Sequence, residues 1–203
     1  MHVRIPAALL LAAALSATPA SASGCPLFTD PAGDETVLAD TLLPGMRPAL
    51  DMLALDVESG SGTLTATVHV RDLARMHEDS PGGLGWYLYF SAADGTRVRI
   101  EANQPMWGAP YFVALLDGSP STGVAVSGSI DVANDTVTIT APYADLAPIA
   151  SLADGDTLAD VGMTTWSRTE PGQPVGGALG SGRNRADRGP RDLPYVLGSG
   201  SCP

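Results

Sequence analysis

From residue 52 onward apolar and polar side chains alternate with a period of two. In "LALDVES" Leu53, Leu55 and Val57 take one side while Ala54, Asp56 and Glu58 take the other; in "TLTATVHVRD" Leu64, Ala66, Val68 and Val70 alternate with threonines, His69 and Arg71. A strand places successive side chains on opposite faces, so this pattern predicts half-buried β-strands rather than helix. "SGSG" at 59–62 joins the two as a hairpin. The pattern then repeats. "GWYLYFSA" and "TRVRIEA" flank an "ADG" turn, with Val98, Ile100 and Ala102 on one face and Arg97, Arg99 and Glu101 on the other. Opposed charges on that wet face suit cross-strand pairing.

Further strands are expected at 111–118 ("YFVALLDG"), 123–131 ("GVAVSGSID"), 135–142 ("DTVTITAP") and 156–167 ("DTLADVGMTTWS"), with a first segment near 37–43 and a short last one near 194–197. Only "YADLAPI" reads as a helical turn. Residues 170–191 carry turn formers and arginines without periodicity and read as a long loop, the arginines as a solvated set. The expected fold class is all-β, an antiparallel β-sandwich, because many short strands separated by Gly, Pro and Asp turns must cover one another's apolar faces.

The start of the chain changes the compartment. Residues 1–22 have a basic start (His2, Arg4), a short apolar run from Ala7 to Leu15 and an A-x-A pattern at Ala20 and Ala22, the signature of a secretory signal peptide. Residues 23–203 are then a single secreted domain. No later run reaches the roughly 20 apolar residues of a transmembrane helix. Losing Arg4 moves the net charge from −11 to −12. Lysine is absent throughout. Such acidity argues against nucleic acid as a partner, since polyanion binding is driven by basic clusters. In an exported chain two cysteines, Cys25 and Cys202, predict one disulfide joining the termini; lipidation of Cys25 competes but lacks a Leu-like residue at position 22. Closing so long a loop would stabilise the fold by about 5 kcal/mol in the chain-entropy model.

The succession "TDPAGDE", "LALDVES", "WYLYFSAADGTRVRIEA", "VSGSIDVANDTVTITAPYADL", "ADGDTLADVGM" and "ADRGP" through "YVLGSGSC" resembles a group of exported bacterial β-sandwich proteins related to DOMON-like and family 9 carbohydrate-binding modules, including the C-terminal binding domain of glucodextranases. The resemblance covers nearly all of residues 23–203. It implies an immunoglobulin-like or DOMON-like sandwich serving as a binding or surface-associated module, often with structural calcium. It carries over no individual ligand-binding residue.

Candidate chemistry is sparse. Aromatic rings stack on sugar C–H faces, which makes Trp107 in "NQPMWGAPY" the first candidate, with Asn103 and Tyr111 beside it and Trp166 as a second ring; Trp107 reads equally well as a plug at the end of the sandwich. Trp86 shares the phase of Leu88 and Phe90 and belongs to the core. Asp30 and Asp34, with Asp187 if the joined termini bring it near, offer oxygens for Ca2+; as an Asp-Pro turn, Asp30 instead caps backbone N–H groups. No catalytic motif is present; His69 falls on the polar phase of its strand and His77 stands in a loop beside Glu78 and Asp79, whose carboxylates favour imidazolium, so a non-enzyme is expected. Met106, Met163, His69 and His77 supply haem-ligand residue types without diagnostic spacing. The expected role is a non-catalytic module binding extracellular polysaccharide, with a cell-surface structural or protein-interaction domain as the alternative.

Overall fold

The computed structural model describes residues 26–34, 47–76, 83–168, 183–190 and 192–199. The predicted signal peptide, the Cys25–Cys202 pairing, the 37–43 segment and His77 lie outside the described residues. Twelve strands are described: β1 (Pro26–Thr29), β2 (Met52–Gly60), β3 (Thr63–Val70), β4 (Gly83–Ser91), β5 (Arg97–Pro105), β6 (Tyr111–Leu116), β7 (Ser119–Ala125), β8 (Ser127–Asp131), β9 (Thr136–Pro142), β10 (Thr157–Arg168), β11 (Arg183–Arg188) and β12 (Leu193–Val196). An α-helical turn, Tyr143–Leu146, falls on "YADL", and a 3-10 turn spans Leu73–Arg75.

Every strand pairing is antiparallel, in two sheets. The first runs β1-β2-β3-β9-β8, and the second runs β11-β10-β4-β5-β6-β7 with β12 also on β10. Their inward faces share one core. Leu55, Val57, Leu64, Ala66, Val68, Val137 and Ile139 come from the first sheet, and Trp86, Leu88, Phe90, Val98, Ile100 and Ala102 from the second. Both expected hairpins form, the first through Ser61 and Gly62 with positive φ at both residues, the turn geometry that matches strand twist.

Three local expectations are corrected. The alternation in β2 is broken by a bulge between Met52 and Ala54, so Met52, and not Leu53, is fully buried. A bulge inserts one unpaired residue and flips the phase before it, which alternation alone does not reveal. "GVAVSGSID" is two strands, not one: β7 pairs with β6 in the second sheet and, after Val126, β8 pairs with β9 in the first. Strands that switch sheets form the corners of packed-sheet folds. The stretch read as loop at 170–191 ends in β11, which pairs with β10 from Arg168 to Thr164. β10 is long enough to hold β12 along its first half and β11 along its second, so a segment without apolar periodicity gains its strand conformation from backbone pairing.

Candidate functional site

Three of the four residues expected to meet a ligand lie in one row across the second sheet. Trp166 of β10 is opposite Gly85 of β4, Gly85 opposite Asn103 of β5, and Asn103 opposite Tyr111 of β6. The row is on the face away from the core, because the neighbours Leu84, Trp86 and Ala102 point inward and are buried. Gly85 leaves a gap that the Tyr87 ring fills: a Cβ there would stand 2.5 Å from Tyr87 Cε1. Tyr87 then stacks on Trp166, with centroids 5.8 Å apart and planes at 30°, and the Arg99 guanidinium stands 5.7 Å from the Tyr87 ring centroid, a cation–π distance.

A buried polar chain supports these rings. Tyr87 Oη donates to Asn103 Oδ1 at 3.3 Å, and Asn103 Nδ2 donates to Glu101 Oε2 at 3.2 Å. Glu101 Oε1 lies 2.8 Å from Arg99 Nε, a close ion contact whose N–H direction does not meet hydrogen-bond geometry. Asp117 lies 3.4 Å from both Arg99 and Arg97. Glu101 and Asn103 are wholly buried although they sit on the outward face. Both ends of the Asn103 amide hold neighbours, Tyr87 and Glu101. A buried carboxylate costs several kcal/mol unless paired, and Arg99 provides the pairing. Tyr87, Arg99 and Glu101 were missed as site residues in the sequence because alternation assigns them only to a wet face. The Arg99–Glu101 contact runs along one strand rather than across two.

Trp107 stands apart, in the turn between β5 and β6, and is 78% exposed. It does not plug the sandwich. Gln104 steadies this turn from within, donating from Nε2 to Pro105 O at 3.0 Å and to Gly108 O at 3.5 Å. Trp166 is half-buried, its Nε1 donating to Thr164 Oγ1 at 2.9 Å, and Trp86 is in the core with no exposure.

The three aspartates expected as metal ligands converge. Oxygens of Asp30, Asp34 and Asp187 all lie within 4.8 Å of one another. Strand pairing brings them together. Asp30 follows β1 and its N–H donates to Leu53 O at 2.8 Å. Asp187 sits on β11, its Oδ2 accepting from Met52 N at 2.8 Å and its Oδ1 from Arg188 N at 2.6 Å. The Phe28 ring of β1 lies against Gly189, just past the end of β11, so closely that a Cβ at 189 would collide with it. A fourth carboxylate, the wholly buried Asp51, accepts from Gly33 N at 2.8 Å and lies 3.0 Å from Arg71 Nε.

Crowded charge has a titration consequence. Burial, then the charges of Asp34 and Asp51, pushes Asp30 up to about 6. Burial is also the main cause that pushes Asp187 up to about 7, its two backbone hydrogen bonds opposing and Asp30 and Asp34 adding to the rise. The donor set fits a hard divalent cation: oxygens 2.3–2.6 Å from Ca2+ are at most about 5 Å apart, and three carboxylates supply part of its six to eight oxygens. Asp30 Oδ2 is moreover buried with no hydrogen-bond partner among the described residues, as a group reserved for a cation would be.

His69 Nε2 lies 2.8 Å from Asp56 Oδ2 on the polar side of β2 and β3, while Met163 is fully buried in the core. Comparison of the chain with protein-family models, with curated proteins and with solved structures finds no match.

Proposed function

We propose that the protein is a secreted, non-catalytic binding module for extracellular carbohydrate, with Trp107 as its principal stacking surface. The observation that carries this reading is the exposure of Trp107. Leaving an indole in water forgoes about 2–3 kcal/mol of burial that the other two tryptophans partly or wholly realise, and a ring held out on a Gln104-braced turn is what a pyranose C–H face requires. Tyr111 begins the strand that follows. Asp30, Asp34 and Asp187 hold a divalent cation, calcium by its oxygen chemistry, whose part is to fasten β1 to β11.

The test is retention on insoluble polysaccharides and a glycan array, comparing wild type with Trp107→Ala. Retention of wild type and its loss in the variant is expected. Equal retention of both, or retention of neither, removes the carbohydrate reading. Co-purification of a surface protein that survives Trp107→Ala would instead assign the module to protein interaction.

A further inference from the structure

A pocket of about 350 Å³ opens where Ser91 of β4 pairs with Arg97 of β5. That is the end of β4 opposite to Gly83, beside which β5 leads into the Trp107 turn. Tyr89, Ser91 and Arg97 reach it from the outward face that also carries Tyr87 and Arg99. Its wall is chemically mixed: Arg97 and Arg188 bring guanidinium groups, while Asp117, Asp160 and Asp192 bring carboxylates. Part of this charge is already matched. Asp117 is shared between Arg97 and Arg99, and Asp160 Oδ2 accepts from Ser91 Oγ at 2.9 Å. Arg188 and Asp192, both exposed, join no ion pair among the described residues.

The backbone is shaped around the same place. Among the described residues, four non-glycine positions have positive φ: Ser61, Asp135, Asp160 and Asp192. Ser61 and Asp135 sit in hairpin turns, where that conformation is ordinary. Asp160 (φ 53°) lies inside β10, and Asp192 (φ 75°) immediately precedes β12; both line the pocket. At Asp160 the register of β10 shifts against β4 and against β12 at once. Bulges of this kind re-aim a side chain and gather next to binding sites. Aspartate is one of the few residues that tolerates the left-handed region, so the chain can place a carboxylate there.

The chemistry selects a ligand class. A divalent cation would meet two guanidinium groups, and phosphate or sulfate would meet three carboxylates. Neutral hydroxyls use both kinds of wall, because each donates to a carboxylate oxygen and accepts from a guanidinium N–H. The volume lies at the small end of the range for small-molecule sites, and Tyr89 adds an aromatic surface. The geometry points to a second binding site, for one ring of a neutral polyhydroxylated ligand such as a monosaccharide or the terminal residue of a glycan. It takes its ligand class from the carbohydrate reading proposed above but names a different site, so either can fail without the other.

Titration calorimetry and ligand-observed NMR on the full chain test this, with a panel of neutral monosaccharides and disaccharides and with inorganic phosphate as the anionic probe. Arg188→Ala removes an exposed side chain, and Asp192→Asn removes a charge with a residue that also accepts positive φ. Unchanged thermal unfolding of both variants verifies their folding. At least tenfold weaker binding of a neutral sugar is expected in each. Wild-type affinity in both pocket variants overturns the site, and if Trp107→Ala then loses polysaccharide retention the proposed function stands while the pocket falls. Absence of saturable binding of every neutral sugar to wild type overturns it equally. Tighter binding of phosphate than of any neutral sugar overturns the ligand class.

Discussion

Raising the pH without a divalent cation should loosen the fold through Asp187. Its folded carboxyl titrates at about 7 against 3.8 when unperturbed, so between roughly pH 4 and 7 the folded state holds a proton that the unfolded state has released. Stability is therefore greatest below the unfolded value and is lost as the pH rises through the folded one. At 1.36 kcal/mol per pH unit the loss is at most about 4 kcal/mol. Asp34 is open to water and screens its share of the repulsion, so about 2 kcal/mol is expected, or about 4–8 °C in Tm for a domain of this size. A cation bound by the three carboxylates replaces the proton and removes the dependence. The assay is thermal unfolding by circular dichroism from pH 5 to 8, in chelator and in millimolar calcium, for wild type and Asp187→Asn. In chelator the wild-type Tm should fall with pH; calcium should flatten the curve, and the variant should keep only the part of the fall below about pH 6 that Asp30 contributes and should respond less to calcium. A wild-type profile in chelator that is flat or rises, or a Tm at pH 8 indifferent to calcium, refutes the reasoning.

Gly85→Ala should cost about 1–3 kcal/mol, since the new Cβ drives the Tyr87 ring off its seat, and near-UV circular dichroism should record loss of the Tyr87–Trp166 stack. Glu101→Ala leaves Arg99 partly uncompensated in a buried setting and should cost about 2–3 kcal/mol in urea unfolding; Asp117, which stays 3.4 Å from Arg99, keeps this below the cost of a fully orphaned ion. Trp107→Ala should change stability by less than about 0.5 kcal/mol, because so little of the ring is buried, whereas Trp86→Ala should cost about 3–5 kcal/mol and broaden the unfolding transition.

Alternation located the strands well because each inward side chain answers to one shared core: Leu64, Ala66, Val68 and Val70 are all buried, as their phase requires. It was silent wherever pairing rather than burial decides conformation. Nothing in "RNRADR" marks a strand, yet β10 holds it as β11 through backbone bonds. The same limit applies to the sites. Asp30 and Asp34 are neighbours in sequence and legible as a turn, but Asp187 joins them only because β1 pairs with the bulged start of β2, and the Met52 N–H at that bulge is the one Asp187 accepts. One inserted residue thus both buries Met52 and accompanies the amide that seats a carboxylate beside two others. Asn103 shows the converse: residue type suggested a ligand-reading role, yet its buried amide holds Tyr87, a neighbour set by register, and Glu101, two residues earlier on the same strand. Residue chemistry is readable from one chain, but whether a polar group is spent or available depends on cross-strand partners, and those are fixed by register and bulges that a two-residue period does not encode.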